Sequence, residues 1–405
     1  MSVSLDRALE IIREHTRPGE VHSLPPAITA GLVTAAPVHA DFDVPEFPRS
    51  ARDGFTFHAS VAARASYFKP VSLPIVQTLY ADTENPPPLQ KGHAARILTG
   101  GPIPKGADCV VQAEDAKVKD GCVLIGISPK PGDFMRRPGV DLPADTLIAD
   151  EGVSLTPEMC AAAVRSRVPE VQVHKPPECM VLALGNELRD PEDVVLMDDG
   201  FPADNPVLLR DLLREHGAGD TLYHVVPDTM LEIMHEIEHS DARLTITTGG
   251  TGDSEKDLAR IAAREAGYTM LFDGVDMRPG HHAFLAGKDD RLFFGLPGPP
   301  PAVLTCFRVL VLPALQFMRG MRESEGAVSA QLTEGFGVKP GLIWLVHCKL
   351  ALRGTRLTAT PLIGRDMPSM QAMLETDGFI VTAPGIQFNK GDEVGVLLLR
   401  ALRPV

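Results

Sequence analysis

The sequence predicts a multidomain α/β plus β protein, in which one α/β domain lies between two regions of short strands. Strand-like and helix-like segments alternate from about residue 178 to 318, the pattern of a parallel, doubly wound sheet. Short β-like runs separated by Gly and Pro occur before residue 150 and again after residue 325. At 405 residues the chain also exceeds what one ordinary core supports.

The N-terminal part of the chain predicts one helix followed by a small β domain. Residues 1–20 carry apolar side chains at helical spacing with charges between them, which indicates an amphipathic helix rather than a signal peptide. Residues 25–55 are Pro-rich and irregular. Between 56 and 150, four runs predict strands: PVSLPIVQTLY, AARILTG, DCVVQAED and CVLIGI. Thr156 is the expected N-cap of the next helix, with Pro157 at its first position.

The alternating region begins after a KPP linker at residues 175–177. Its predicted strands are ECMVLALGNEL, ARLTITTGG and RLFFGLPG. Its predicted helices are NPVLLRDLLREHGA, MLEIMHEIEHS, SEKDLARIAAREAG and PPAVLTCFRVLVLPAL. Glycine ends the first of these helices and proline starts the last. After residue 325, short strands with Gly turns predict a second small β domain.

Composition limits the classes of function. The formal net charge of −14 disfavours nonspecific binding to nucleic acid or to anionic membranes. None of the six cysteines forms a CxxC pair, so their scatter indicates reduced thiols and a cytoplasmic protein. No run of about 18 uninterrupted apolar residues occurs, so no membrane span is expected.

Turns follow three predicted strands, at residues 184–188, 247–257 and 295–301. Ligands of open α/β sheets bind beyond such strand ends. In the second turn Gly249, Gly250 and Gly252 permit close backbone approach, and the following helix start favours an anion. The turn also carries acidic residues, Asp253, Glu255 and Asp257. These would repel a bare phosphate, so they predict a divalent cation that bridges carboxylate and phosphate. The alternative is an ordinary turn whose acids stabilise the helix dipole.

Segments along nearly the whole chain resemble one family in order. PRSARDGF resembles SAMDGYA, ARILTGGPIPKGADCVVQAED resembles RIxTGAxxPxGADxVVxxE, and MRRPGVDL resembles xRxxGEDI. VLALGNEL is similar to VxSTGDEL, and ADNPVLLRDLLREHGA to DSNxxxLxxLLxxxGA. VVPDT, TTGG, FGLPG, LVLPAL and LETDGFIVTAP follow in the same order. The chain thus resembles the molybdopterin molybdenumtransferase (MoeA) family and the matching domain of gephyrin.

The resemblance implies four domains and a reaction. The domains are a helical and extended one (1–45 and 145–176), a small β domain (46–144), an α/β domain related to MogA and MoaB (177–325) and a C-terminal β-barrel (326–405). The implied reaction joins molybdate to the dithiolene of adenylylated molybdopterin and releases AMP, with Mg²⁺ or another divalent cation. A homodimer is implied, with each site between the α/β domain of one subunit and the small β domain of the other. A MogA-type enzyme is an expected partner.

The resemblance also implies site residues. Those expected to be catalytic are Asp53, Glu187, Asp257 and Arg278, of which Glu187 and Asp257 would bind the metal. Those expected to bind substrate are Thr99, Asp141, Asp228, Gly249, Gly250, Thr251, Gly252, Asp253, His281, Pro297 and Gly298. Ordinary explanations remain open for the matched residues: a turn residue for Asp53, caps for Thr99 and Glu187, a first-turn helix acid for Asp257, and surface acids for Asp141 and Asp228.

The sequence departs from the family in the same segments. GGTGDSEKD replaces the usual GGVSVGDYD, and its GGTG start resembles MogA and MoaB. MRPGHHAFLAG replaces MKPGKPLAFG, so Arg278 and His281 stand where the family has lysines. Arg278 can still grip an oxyanion, whereas His281 titrates near neutral pH and has an open alternative as a solvated turn residue. GLPGPPP replaces GLPGNPVS, and GRDMPSMQAM replaces a Gly/Ser turn of the barrel.

Three functions therefore stand as hypotheses. The first is molybdate insertion, which the retained acids favour. The second is a diverged paralogue that binds a pterin or nucleotide without insertion, and the third is MogA-like adenylylation of molybdopterin. The altered loops favour the second and third.

Overall fold

A computed structural model of the protein describes residues 2–192, 200–250, 258–322, 326–362 and 369–399. The region where strand and helix alternate forms a six-stranded sheet, which we call the central sheet. In spatial order its strands are Thr221–Val226, Cys179–Leu184, Leu244–Thr248, Arg291–Leu296, Phe284–Lys288 and Thr269–Asp273.

One edge of the central sheet departs from the parallel pattern. The first four strands are parallel, and the last two run antiparallel to their neighbours. The cause is local, because only Asp289 and Asp290 separate strand Phe284–Lys288 from strand Arg291–Leu296, and Asp289 has a φ of 54°. A two-residue connection closes a hairpin, and the strands of a hairpin are antiparallel.

Helices cover both faces of the central sheet. Alternate side chains of strand Cys179–Leu184 enter different cores, because neighbouring residues of a strand point to opposite faces. The core on one face includes residues of helices Leu5–His15, Asp204–Glu215, Pro300–Cys306 and Leu312–Met318. The core on the other face includes residues of helices Met230–Glu238 and Ala259–Glu265. The predicted doubly wound α/β architecture is confirmed.

Segment Pro300–Met318 is a continuous apolar helical stretch. A π-helical turn at Phe307–Val311 joins its two α-helices, and Pro300 stands at the start, as the sequence predicts. Within the described part of the chain, this stretch alone is long and apolar enough to cross a membrane, and 94% of its apolar window is buried inside the protein. It packs in the same core as the central sheet and helix Leu5–His15, which is the burial of a core helix.

A second six-stranded sheet, which we call the small sheet, forms from residues 54–125. In spatial order its strands are Cys109–Gln112, Gly54–Phe57, Ala94–Ile97, Val71–Leu79, Cys122–Ile125 and Ala116–Lys119. The four runs that predict strands in this region all contribute one. Residues 55–125 also supply every buried member of the core beneath the sheet. The small β domain is therefore confirmed as a separately packed unit.

Short strand pairs form an extended region on either side of the small sheet in the sequence. The pairs are Val21–Leu24 with Val171–His174, Val33–Thr34 with Val171–His174, Val38–His39 with Leu147–Ala149, and Arg49–Ser50 with Met135–Arg136. Helix Pro157–Arg165 belongs to this region, and the Thr156 side chain accepts from the Met159 N–H, which confirms the predicted cap. Short 3₁₀ helices lie at Pro26–Ile28, Ala59–Ala62 and Ala113–Asp115.

The C-terminal region is a closed five-stranded barrel, as predicted. Around the ring its strands are Ile343–Arg353, Arg356–Pro361, Val328–Leu332, Glu393–Leu398 and Gly378–Val381. The first strand pairs with both the second and the last, which closes the ring. Helix Met370–Glu375 lies beside the barrel, and short strands Phe336–Gly337 and Gln387–Phe388 pair with each other.

One buried histidine joins the barrel to the core helix. His347 is 2% exposed, with Nε2 at 3.0 Å from Thr305 Oγ1 and Nδ1 at 2.8 Å from Thr376 Oγ1. Thr305 belongs to helix Pro300–Cys306, so the contact crosses from the central sheet's own helix to the barrel. Burial lowers the pKa of His347 to about 4, so its ring is neutral at pH 7.

We expect His347 to make folding stability sensitive to acid. Its pKa in the unfolded chain is about 6.5. Between roughly pH 6.5 and 4, the unfolded state therefore binds a proton that the folded state excludes. The stability contributed by the neutral ring is complete above this window and is lost as the pH falls through it, by about 3 kcal/mol.

Urea unfolding of the wild type and His347→Gln measures this effect. Trp344 is the only tryptophan and lies on the same barrel strand, so its fluorescence reports the local transition. The wild type should lose more unfolding free energy than the variant between pH 7 and pH 4. A difference between the two proteins that stays constant over this range would contradict the assignment.

Candidate active site

Turns that follow three neighbouring parallel strands meet at one edge of the central sheet, which we call the strand-end edge. In the strand register Ala183 lies beside Thr248, and Thr248 lies beside Leu296. The chain therefore leaves these strands side by side, where open α/β sheets bind ligands. The structure describes the whole of the first and third turns and the start of the second.

Gly249 is the residue through which the three turns touch. Its N–H donates to the Leu296 carbonyl at 3.3 Å, and its φ is 81°. A Cβ at this position would lie 2.7 Å from the Leu184 carbonyl oxygen, closer than packed atoms come. Backbone conformation and packing therefore both require glycine here.

Gly250 extends the turn towards the next helix. Its φ is 59°, and its carbonyl accepts from the Ala259 N–H at 3.3 Å, at the first residue of helix Ala259–Glu265. The other residues predicted from this turn lie outside the described residues, so their roles stay predictions: Thr251, Gly252, Asp253 and Asp257.

The first turn connects to a fourth strand end. The Gly185 N–H donates to the Val226 carbonyl at 3.1 Å, and Asn186 Oδ1 accepts from the Asp228 N–H at 3.1 Å. Asp228 is half-buried and follows the strand that ends at Val226. The structure therefore places Asp228 at the strand-end edge, beside the turn that carries Glu187.

Glu187 presents an exposed carboxylate on this edge. Its two carboxylate oxygens lie 2.9 and 3.0 Å from the point that a Cβ of Gly185 would occupy, so the side chain folds over that glycine. The Glu187 carbonyl accepts from the Phe201 N–H at 2.8 Å, where Leu188–Arg189 pairs with Phe201–Pro202. Carboxylate oxygen is a suitable donor for a hard divalent cation such as Mg²⁺.

The third turn is held by a residue to which the sequence motifs assign no role. Asn205 Nδ2 donates to the Gly298 carbonyl at 2.7 Å, and Asn205 is 7% exposed. Pro297, which precedes Gly298, is half-buried. Asn205 lies in the first turn of helix Asp204–Glu215, whose other buried residues are apolar. A single amide on that apolar face was the sequence signal that could have indicated a structural role for Asn205.

Three prolines change what the third turn can bind. Pro299, Pro300 and Pro301 follow Gly298, and none of them has a backbone N–H. Helix Pro300–Cys306 therefore starts without the free donors that make other helix starts attractive to anions. Asn205 Oδ1 is buried and has no hydrogen-bond partner among the residues that the structure describes.

Asp53 and Thr99 form a second group, on the small sheet. Asp53 Oδ1 accepts from the Thr99 N–H and from Thr99 Oγ1, both at 2.7 Å. These two hydrogen bonds lower the pKa of the exposed Asp53 carboxyl, so it stays ionised at neutral pH. Gly54 allows this arrangement, because a Cβ there would lie 1.9 Å from the Val111 carbonyl oxygen.

Asp141 is linked through Arg136 to the strand that precedes Asp53. It forms an ion pair with Arg136, whose strand Met135–Arg136 pairs with Arg49–Ser50 just before Asp53. Both partners are exposed, so the pair is solvated. Val140, where the resembled motif has Glu, is 59% exposed and supplies no charge.

Arg278 and His281 lie on a segment that packs between the central sheet and the barrel. Met277–Arg278 pairs with Ile343–Trp344 of the barrel, and the Arg278 guanidinium lies 5.1 Å from the centre of the Trp344 ring. His281 is half-buried, and its Nδ1 donates to the Val275 carbonyl at 2.8 Å. The structure therefore places His281 against its own loop rather than in a fully solvated turn.

Comparison of this chain with known proteins identifies its family. The chain matches the MoeA N-terminal region (domain I and II) over residues 3–166, and a probable molybdopterin binding domain over residues 180–316. The chain belongs to the MoeA family. A molybdopterin molybdenumtransferase of Bacillus subtilis is 27% identical over 98% of this chain and 94% of its own length.

Two further relatives support the same assignment. A molybdopterin molybdenumtransferase of a Nostoc species is 29% identical over 72% of this chain and 68% of its own length. The crystal structure of a molybdopterin biosynthesis MoeA protein from Pyrococcus horikoshii superposes with a TM-score of 0.84 at 26% identity. That match covers 99% of this chain and 100% of the solved one, so the whole arrangement is that of MoeA proteins.

Glu187 and Asp257 are the metal ligands that the resemblance predicts. Glu187 is exposed and offers oxygen donors, whereas Asp257 lies outside the described residues. Within the described part of the chain, no group of three or more His, Cys, Asp or Glu side chains is arranged to hold a metal ion. The donors present fit a hard cation that takes most of its ligands from substrate and water.

Asn205 gives a test of the third turn that does not depend on activity. Asn205→Ala removes one hydrogen bond but also removes a buried acceptor that has no partner among the described residues, so we expect a loss of about 1 kcal/mol or less. Asn205→Asp is nearly isosteric but cannot donate to the Gly298 carbonyl and buries a carboxylate, so we expect a loss of about 3 kcal/mol or more. Urea unfolding at pH 7 measures both. Equal stability of the two variants would show that the amide does not hold this turn.

Proposed function

We propose that this chain joins molybdate to the dithiolene sulfurs of adenylylated molybdopterin and releases AMP. The proposal is carried by the strand-end edge, where Glu187, Asp228, Gly249 and Gly298 come together in a protein of the MoeA family. The curated relatives bear the name molybdopterin molybdenumtransferase, and their similarity supports the same activity here.

The residues of the strand-end edge would contribute to binding an anionic substrate in different ways. Gly298 leaves the backbone open to close approach, because no atom lies within 4 Å of the point that a Cβ would occupy. Pro299, Pro300 and Pro301 supply no N–H, so positive charge must come from elsewhere. A divalent cation, Mg²⁺ in our proposal, would be held by Glu187 and Asp257 and would neutralise phosphate and molybdate oxygens.

Asp53 and Arg278 complete the proposed catalytic set. Thr99 orients the Asp53 carboxylate and keeps it ionised through two hydrogen bonds. Arg278 would face the substrate phosphate with a guanidinium already oriented by the Trp344 ring. Asp141, Asp228 and His281 are proposed to contact the substrate around this set.

A homodimer would unite the two groups of residues. In one chain Asp53 and Thr99 lie on the small sheet, whereas Glu187 lies on the central sheet, and each sheet has its own core. A two-fold dimer would bring the small sheet of one subunit to the strand-end edge of the other, twice. We further propose a cytoplasmic protein that receives its adenylylated substrate from a MogA-type enzyme.

One observation favours a second candidate function. The three prolines after Gly298 remove backbone donors from a turn that would face the substrate. A diverged paralogue that binds adenylylated pterin without inserting molybdenum would tolerate this loss. The retained Asp53, Glu187 and Asp228 and the named relatives favour insertion over both this function and MogA-like adenylylation.

Subunit complementation tests the proposed site. Asp53→Ala and Glu187→Ala each remove one part of both sites in a homodimer, so each variant alone should be inactive. When an equal mixture of the two is unfolded and refolded, half of the dimers should be mixed. One site of a mixed dimer carries both defects and the other carries none, so insertion should return to roughly one quarter of the wild-type rate per site.

The assay follows AMP release and molybdenum incorporation with adenylylated molybdopterin and molybdate. Native mass spectrometry confirms that mixed dimers form. If they form and stay inactive while the wild type is active, Asp53 and Glu187 do not share a site across subunits. A wild type that binds the substrate but does not insert molybdenum would support the diverged paralogue.

A further inference from the structure

Helix Met230–Glu238 carries His235, and His239 is the C-cap residue of the same helix, one turn later. His235 and His239 have i,i+4 spacing, which places both side chains on the same face of a helix. Both are exposed, and their ring centres are 4.3 Å apart with an interplanar angle of 39°. Two imidazoles at this spacing are a chelating pair for a metal ion, as in helical HExxH sites.

A hydrogen bond sets the orientation of one imidazole. His239 Nδ1 lies 2.8 Å from the His235 carbonyl oxygen. A carbonyl only accepts, so Nδ1 carries the proton and the lone pair of the neutral ring is on Nε2. Histidines that bind metals commonly donate their other N–H to a carbonyl in this way. The His239 imidazole is therefore oriented before any ion binds.

The surroundings of the pair are acidic. No Lys or Arg occurs in the sequence between Arg214 and Arg243. A cavity of ≈ 690 Å³ beside the helix is lined by His239 together with Glu178, Asp220, His224, Glu236 and Asp241, and no Lys or Arg lines it. Lys175 and Arg291 approach from outside and pair with Glu178 and Asp241. The excess of carboxylates favours a cation at this surface.

Thiolates do not compete for the ion at this place. Cys179 lines the cavity but is 2% exposed, and burial raises its pKa to about 12. A protonated thiol is a poor ligand, so the imidazoles are the donors available here.

This surface is far from the strand-end edge. The cavity is lined by Cys179 and Thr221, which begin strands Cys179–Leu184 and Thr221–Val226. The turns of the candidate active site follow the opposite ends of the same strands. Six residues of strand span roughly 20 Å, so one ion cannot serve both places.

We propose that His235 and His239 bind one divalent transition-metal ion, such as Zn²⁺, through Nε2 of His239 and a ring nitrogen of His235, with water filling the other positions. Imidazole nitrogen suits Zn²⁺, Cu²⁺ and Ni²⁺, whereas Mg²⁺ prefers oxygen. The site is thus distinct from the Mg²⁺ site of the proposed reaction in both its place and its metal.

Calorimetric titration with Zn²⁺ alone tests the pair, using tag-free wild-type protein freed of metal by EDTA. The variants are His235→Gln, His239→Gln and the double change, and both positions are exposed enough to leave the fold intact. Glu238→Gln is the matched control, because it changes the charge of the same helix without removing an imidazole. Each titration is repeated in a Glu187→Gln background, which separates Zn²⁺ bound at the strand-end edge.

The double variant should bind one Zn²⁺ fewer per chain than the wild type, in either background. Each single histidine variant should bind that ion roughly tenfold more weakly or worse, and Glu238→Gln should change its affinity far less. Millimolar Mg²⁺ should not displace it. Zn²⁺ should raise the melting temperature of the wild type more than that of the double variant. Unchanged stoichiometry in the double variant, or wild-type affinity in either single histidine variant, would overturn the proposal. Loss of the ion in Glu187→Gln alone would assign it to the strand-end edge instead.

Discussion

The contact between Gly249 and the main chain of its two neighbours is the constraint on which the candidate site depends. Gly249 donates to the Leu296 carbonyl and leaves no room for a Cβ beside the Leu184 carbonyl. Because one residue touches both adjacent strand ends, the turns that carry Glu187 and Gly298 are held at fixed positions relative to each other. Any side chain at position 249 would have to displace one of these two turns. Gly249 therefore determines the geometry of the site although it has no functional side chain.

The site has to hold anions in a protein of net charge −14. Backbone donors contribute less than in many α/β proteins, because three prolines occupy the start of helix Pro300–Cys306. The Asp53 and Glu187 carboxylates add negative charge, so the proposed site would need a bound cation and Arg278 to neutralise the substrate. Under this proposal, substrate binding would depend on the metal. The same balance of charge would explain why acids and an anion-binding turn occur together in the sequence.

The sequence predicts most of the architecture and part of the site. Apolar periodicity and turn residues are local signals, so the α/β alternation, the small sheet and the Thr156 cap could be predicted. The antiparallel edge could not, because the two-residue Asp289–Asp290 connection lacks the glycine that is typical of a tight hairpin. The role of Asn205 depends on Gly298, which lies 93 residues away, and no periodicity encodes that contact. The structural role of His347 likewise depends on its contacts with Thr305 and Thr376, which are distant in the sequence. Resemblance supplied Asp53 and Thr99 as separate residues, and the structure shows that they form one hydrogen-bonded unit.

The central claim is that substrate binds where the three turns meet. Amide hydrogen exchange with and without adenylylated molybdopterin and Mg²⁺ tests it most directly, because exchange reports each peptide in the intact protein. We predict slower exchange in peptides covering residues 184–190, 247–262 and 295–305, with no change in the barrel strands Val328–Leu332 and Glu393–Leu398. Within the third peptide the effect should come from Gly298 and from residues after Pro301, since the prolines have no amide hydrogen. Protection confined to other parts of the chain, with these three peptides unchanged under saturating substrate, would contradict the account.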